Sequence, residues 1–313
     1  MNFNIPSNLK IAVLKGATGS ERQISLISGG CIADALRKTK LVQVVEHDYN
    51  PDEPEILDDK SVDVFFLAFH GQFGEGGEMQ QLCERKKIVY TGCGSEASRL
   101  CFDKIACKKA VAGAGVAVAK AVEITSAKQL ADCDPEFKIA TTKFVVKPAC
   151  EGSSVGVSIV EGLGNAKSAA EKCLAQFGRC MIEEFIVGQE ITVGVLGRTP
   201  LPVIEIRTSH QFYDYNAKYD DDNTQYLFDT IQDKQVLQRV NDDALKSFDA
   251  AGCRDFGRID MIINSDGIPY MIEINTIPGF TTHSLLPKAA AKAGINMEQL
   301  CLTIIKAALE RKK

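Results

Sequence analysis

Apolar positions in the first third of the chain alternate between short continuous runs and helical spacing. Ile11-Ala12-Val13-Leu14 is an unbroken apolar run ended by Gly16, and Ile24, Ile27, Ala33 and Leu36 then recur on one helix face. Residues 42–46 and 62–69 are two further runs rich in β-branched and aromatic side chains. Strand, helix and strand at these separations predict a parallel α/β unit. Tyr90-Thr91-Gly92-Cys93-Gly94 is a turn, and the helix after it carries Asp103-Lys104. The first unit is expected to close near that turn.

The middle of the chain has a different rhythm. Residues 144–147, 155–160, 181–185 and 191–196 read as short strands separated by glycine-containing turns, with helices at 166–176 and before Phe144. That pattern predicts a small antiparallel α+β unit. Further on, 258–263 and 270–274 flank Asn264-Ser265-Asp266-Gly267, a hairpin signal. Residues 287–293, opened by a proline and ended by Gly294, and 297–309 read as closing helices. The expected divisions are 1–95, 96–180 and 181–313.

Composition narrows the function classes. The chain has 313 residues, 45% hydrophobic and 25% charged, so it can bury a substantial core without a metal or disulfide staple. A net charge of −5 argues against a broad nucleic-acid or anionic-membrane partner. No run approaches the roughly 18 apolar residues of a membrane span, and the first residues lack a signal-peptide core. The 11 cysteines are scattered, none as C-x-x-C, and with 4 histidines they predict buried reduced thiols rather than zinc or disulfides. The expected setting is the cytoplasm.

Four segments carry candidate chemistry. In Lys147-Pro148-Ala149-Cys150-Glu151-Gly152-Ser153-Ser154-Val155-Gly156, a lysine at a strand end precedes a Gly/Ser loop, an arrangement that offers positive charge and N–H groups to an anion. It is not a Walker A loop, and an ordinary hairpin is the plainer alternative. The same loop spells G-x-S-x-G, and Ser154, Asp260 and His283 follow the order of a serine hydrolase triad. A nucleophile elbow needs a helix next, however, and residues 155–160 look like a strand. In the predicted hairpin, alternation puts Arg258 with Asp260, and Glu273 with Asn275, each pair on one face. Two carboxylates and an amide are hard oxygen donors suited to Mg²⁺. Met261, Ile263, Ile272 and Ile274 are expected on the opposite, core face. Thr18 to Glu21 and Ser20 to Gln23 each fit a capping box, while Glu21 is equally placed to meet an ammonium group at the C-terminal end of a parallel sheet. Residues 212–223, polar and aromatic without periodicity, read as a lid or as a plain surface loop.

In order along the chain, these segments resemble the D-alanine–D-alanine ligases of the ATP-grasp superfamily. The carrying motifs are Gly19-Ser20-Glu21-Arg22-Gln23-Ile24-Ser25-Leu26; His70-Gly71 with Gly74-Glu75-Gly76; Tyr90-Thr91-Gly92; Val146-Lys147-Pro148; and Glu151 to Gly156. They continue with Phe212-Tyr213-Asp214-Tyr215, Ala217-Lys218-Tyr219, Gly257-Arg258-Ile259-Asp260, Glu273-Ile274-Asn275-Thr276-Ile277-Pro278-Gly279 and Thr282-His283-Ser284-Leu285. The resemblance implies an ATP-grasp fold, α/β and α+β, behind an N-terminal parallel α/β domain. It implies ligation of two D-alanines through an acyl phosphate, for peptidoglycan synthesis, with ATP and two Mg²⁺ or Mn²⁺ ions and a homodimeric assembly.

The same resemblance assigns roles. Lys104 and Lys147 would bind ATP phosphates beneath the loop of Ser153 and Ser154, with Lys218 from the lid. Glu183, Glu184, Phe185 and Ile186 would line the adenine pocket, and Glu190 would hold the ribose. Asp260, Glu273 and Asn275 would hold the metals. Arg258 would neutralise the moving phosphoryl group, and Gly279 would donate to the oxyanion. Glu21 would orient the first substrate's ammonium, with His70 and Tyr213 nearby, and Ser284 and Leu285 would hold the second substrate. Glu21, Ser153 and Tyr219 would link the closed lid, and Tyr219 goes with an amino acid rather than a hydroxy acid as second substrate. Lys15, Glu78, Glu184 and Leu227-Phe228-Asp229-Thr230 depart from the family pattern. Rival readings are an ATP-grasp ligase for another amino acid or hydroxy acid pair, the serine hydrolase, and a binding protein without turnover.

Overall fold

The computed structural model describes residues 6, 8–19, 21–133, 142–208 and 224–311. The first unit begins with β1 (Leu9–Gly16), α1 (Arg22–Thr39), β2 (Val42–Tyr49) and β3 (Val64–Leu67). The strands form a parallel sheet in the order β2-β1-β3. Ile11 to Leu14 are fully buried, as the unbroken apolar run requires of a central strand covered on both faces. Helix α1 presents Ser25, Ser28, Ile32, Ala33 and Leu36 inward and ends at Lys40 in the left-handed conformation. Three helices follow, α2 (Gly71–Glu75), α3 (Glu78–Lys86) and α4 (Ser95–Phe102). Next comes α5 (Lys104–Gly113), whose first turn is capped by Asp103, with its side chain accepting from Ile105 and Ala106 N–H.

The second unit contains β4 (Ala121–Ile124), α6 (Ala127–Asp132), β5 (Lys143–Pro148), β6 (Ser158–Glu161), α7 (Leu163–Phe177) and β7 (Cys180–Glu184). Its strands make an antiparallel sheet in the order β4-β7-β5-β6. Three expectations are corrected here. Residues 191–196 do not belong to this sheet; the short, partly exposed strand β4 takes the fourth place. The strand expected at 155–160 starts only at Ser158, because Ser153, Ser154 and Gly156 have positive φ and curl the backbone into a tight turn. The division expected between residues 180 and 181 would cut β7, which pairs with both β4 and β5.

The third unit holds β8 (Gln189–Leu196), β9 (Thr199–Pro200), β10 (Ile204–Arg207), β11 (Gln225–Phe228), α8 (Lys234–Ala250), β12 (Phe256–Ile263) and β13 (Pro269–Asn275). These strands form a second antiparallel sheet, β11-β10-β8-β12-β13, with β9 on β8. Gly267 has φ 72° in the β12–β13 turn, where Asn264 closes the loop onto Ile268. Helices α9 (Leu285–Lys292) and α10 (Met297–Glu310) end the chain. Helix α9 opens two residues before the proline expected to start it. Both closing helices return to the first unit: Leu300, Ile304 and Ile305 share a core with Ile11, Ile32 and Leu36.

Candidate active site

The hairpin of β12 and β13 sets the centre of the site. Arg258 pairs across the strands with Asn275, and Asp260 with Glu273, so the two pairs of polar groups are neighbours. Arg258 grips Asp260 with two hydrogen bonds, at 2.9 and 2.8 Å, and the Thr192 hydroxyl on β8 donates to the same carboxylate at 2.6 Å. The register then slips between Asp260 and Met261, where Met261 faces Met271 and Ile272 is the extra residue. This β-bulge re-aims Ile272. Its side chain, expected in the core beside Ile274, lines a cavity together with Ile262 and Glu273.

That cavity, of 150 Å³, lies between the two antiparallel sheets. Lys147, Ser154, Glu183, Glu184, Phe185, Ile186, Glu190 and Asp260 all line it, so the structure brings together most of the residues expected around a nucleotide. Lys147 at the end of β5 places its ammonium 2.5 Å from Glu183, and Lys108 approaches the other oxygen of that carboxylate at 3.0 Å. Burial opposes the charge on Glu183, yet the two ammonium groups hold its carboxyl below the ordinary range. Burial also lowers the pKa of Lys108, against the opposing pull of Glu183. Glu184 turns aside: its carboxylate accepts from Lys120 N–H at 3.0 Å, which gives this departure a structural task.

A larger cavity of 520 Å³ lies alongside the first and shares Lys104, Glu151 and Glu273 with it. Lys104 donates to the Glu151 carbonyl and lies 3.6 Å from Glu273. Glu21, His70, Ser153, Arg258, Asn275, Gly279, Ser284 and Leu285 line this space. Glu21 makes no side-chain cap to α1; its carboxylate accepts from the Ser153 hydroxyl instead, joining the first unit to the Gly/Ser loop. Of the two readings of Glu21, the helix cap does not form. His70 is held between Glu75, 3.5 Å from Nδ1, and Ser28, 3.2 Å from Nε2. The Ser28 hydroxyl in turn accepts from Phe280 N–H, next to Gly279. A Cβ at Gly279 would fall 2.6 Å from the Ser284 hydroxyl and would push it from its bonds to Thr281.

The hydrolase triad does not assemble. Asp260 is engaged by Arg258 and Thr192, while the exposed His283 lines the larger cavity and Ser154 the smaller. Tyr213, Lys218 and Tyr219 of the expected lid, and Ser20 in the capping motif, lie outside the described residues. Sequence reasoning gave no role to Lys108, Thr192 or Ser28. Lys108 had one usable signal, its position a helical turn after Lys104.

The family model for the D-ala D-ala ligase C-terminus matches residues 110–306. A D-alanine–D-alanine ligase of Syntrophotalea carbinolica is 37% identical over 303 residues, covering 97% of both chains. The chain belongs to the D-alanine–D-alanine ligase family. The crystal structure of the Bacillus anthracis D-alanine–D-alanine ligase complexed with ATP superposes with a TM-score of 0.85 at 32% identity, covering 97% of this chain and 98% of that one. The VanG D-Ala:D-Ser ligase of Enterococcus faecalis gives 0.83 at 26% identity, over 96% and 100%. The fold is accordingly the ATP-grasp fold of D-alanine–D-alanine ligases, with the parallel sheet at its N-terminal end, as the sequence resemblance implied.

Proposed function

We propose that the chain joins two D-alanines into D-alanyl-D-alanine at the expense of ATP, releasing ADP and phosphate, as a step in peptidoglycan precursor synthesis. The observation that carries this reading is the pair of cavities meeting at Lys104, Glu151 and Glu273 in a chain of this family. One cavity is narrow and largely apolar, suited to a purine. The other is wider and carries a larger share of polar lining, suited to two small amino acids.

A carboxylate is a poor electrophile until one of its oxygens becomes a leaving group. On this reading the γ-phosphoryl group passes to the carboxylate of the first D-alanine, giving an acyl phosphate. The deprotonated amine of the second D-alanine then attacks the carbonyl carbon; the C–N bond forms and the C–O bond to phosphate breaks. The protein's task is positioning and charge neutralisation, with no nucleophile of its own. Lys104 and Lys147 bind phosphates, and Arg258 offsets charge on the group in transfer. Glu183 to Ile186 line the base, and Glu190 holds the ribose. Glu21 holds the first ammonium group beside His70. Ser284 and Leu285 seat the second substrate, and Gly279 supplies a backbone donor. Tyr213, Lys218 and Tyr219 complete the lid by resemblance.

Asp260 and Glu273, opposite one another on the cavity face, with Asn275 two residues on, form an oxygen donor set that fits Mg²⁺ or Mn²⁺. Such ions, held by these three residues, would neutralise phosphate charge. No helix among the described residues is long and apolar enough to cross a membrane. A cytoplasmic setting follows from the proposed substrates, and a homodimer is the assembly to test by light scattering.

The direct test is phosphate release from ATP and Mg²⁺ with D-alanine, L-alanine or no amino acid, with the product identified by mass. Release that requires D-alanine and yields the dipeptide is expected, and Glu273→Gln should lower it by about a hundredfold or more. Release indifferent to D-alanine would overturn the substrate assignment.

A further inference from the structure

Lys104 and Lys108 lie one turn apart on α5, yet they face different surroundings. Lys104 reaches the junction of the two cavities. Lys108 is only 5% exposed and sits behind the nucleotide cavity, 3.0 Å from Glu183 and 3.4 Å from the carbonyl oxygen of Met271, the residue just before the bulge. The resulting buried triad is Lys108, Glu183 and Lys147, drawn from α5, β7 and β5 and carrying two positive charges against one negative. Among the described residues Glu183 Oε2 accepts no hydrogen bond: its contact with Lys108 is an ion pair without hydrogen-bond alignment.

We propose that Lys108 is a positioning residue for nucleotide binding: the resident counter-ion of Glu183 that frees Lys147 to serve the phosphates. The proposal rests on the nucleotide reading above. Lys147 is bonded to Glu183 at 2.5 Å. A phosphate that draws on the same ammonium weakens that bond. A carboxylate 3% exposed does not tolerate losing its only counter-ion, because desolvation of an unpaired charge is costly. Lys108 removes that obstacle by staying in place. Its contact with the Met271 carbonyl also ties the base of the pocket to the strand that bears Glu273 and Asn275.

The test measures Mg-ATP affinity by calorimetry, and KM for ATP against kcat, in Lys108→Met, Lys108→Arg, Glu183→Gln and the double variant Glu183→Gln with Lys108→Met. Lys108→Met should weaken ATP binding by about tenfold or more, with KM for ATP rising in parallel and kcat and KM for D-alanine within about threefold. Lys108→Arg should recover most of the affinity. In the Glu183→Gln background, where no charge needs compensation, the further change to Met should cost less than about threefold. An equal loss in both backgrounds would overturn the proposal, as would a fall in kcat at unchanged ATP affinity. If Lys108→Met alone does not fold, the comparison of Glu183→Gln with the double variant decides: a double variant that also fails, or that binds ATP much more weakly, contradicts it. Failure of the ligase reading would appear separately, as wild-type protein that binds ATP normally but makes no dipeptide.

Discussion

Single residues that depart from the family pattern find compensation close by. Lys15 ends the first strand where a small residue is usual, and its stem runs directly under Gly29 of α1, with its ammonium bonded to Glu46. A Cβ at Gly29 would lie 2.6 Å from Lys15 Cβ, whereas at Gly30 nothing lies within 4 Å. Two adjacent glycines in one helix therefore have opposite meanings. Gly30→Ala should stabilise the protein by about 0.5–1 kcal/mol through helix propensity. Gly29→Ala should destabilise it by roughly 1–3 kcal/mol, because the methyl group collides with a side chain that cannot swing away at Cβ. Urea denaturation of both variants checks the sign of each, and a stabilising Gly29→Ala would show that Lys15 does not occupy this space. Glu78, another departure, begins α3, where a carboxylate suits the positive end of the helix. Asp229, within the third, takes φ 58° and pairs with Lys292 at 2.6 Å, anchoring the end of β11 to α9.

Elements are joined across the chain by a buried clasp. Asp255, just before β12, accepts from Gly92 N–H at 2.9 Å and from Arg311, whose other nitrogen donates to the Tyr90 carbonyl at 2.6 Å. Arg254 donates to the Gly92 carbonyl and the Tyr90 hydroxyl. The end of α10, the turn at 90–92 and the start of β12 are thereby pinned at one point. Burial raises the Asp255 carboxyl above its ordinary value, and Arg311 opposes the rise. Arg311→Met leaves that carboxylate buried without its main counter-ion and should cost about 3–5 kcal/mol near neutral pH. The sign with pH follows. Removing the guanidinium raises the folded-state pKa further, so the deficit is full above that pKa and fades as pH falls through it. Thermal unfolding of the variant and the wild type across pH checks this; a deficit constant with pH would mean that Asp255 does not carry it.

At this scale the sequence was legible where pattern and periodicity coincide. The parallel unit, the hairpin at Asn264 to Gly267 and the shared faces of Arg258 with Asp260 and of Glu273 with Asn275 follow from runs, turns and alternation. What escaped has physical causes. Strand β4 is four residues long and partly exposed, so it carries little signal. Residues 191–196 look like any buried strand, and only non-local pairing decides which sheet takes them. Ile272 reads as core by strict alternation, and a bulge is a local exception to alternation. Lys108 offers only its spacing of one turn from Lys104 until Glu183, from a distant strand, lies beside it.

For the molecule as a whole, the proposed reading draws its residues from all three units. The first supplies Glu21 and His70, the second Lys147 and Glu183, and the third Arg258, Asp260, Glu273 and Asn275. The return of α9 and α10 to the first unit places Ser284 and Leu285 opposite Glu21 across one cavity. Two substrates and a phosphoryl donor can thus meet at Lys104, Glu151 and Glu273 without a covalent enzyme intermediate. The central claim is that ATP activates a carboxylate oxygen of the first D-alanine as a phosphate leaving group. The measurement that tests it most directly uses D-alanine whose carboxylate carries a heavy oxygen isotope, followed by mass analysis of the released phosphate. The account predicts transfer of a heavy oxygen from the carboxylate to inorganic phosphate with each dipeptide formed. Unlabelled phosphate alongside labelled dipeptide would contradict it.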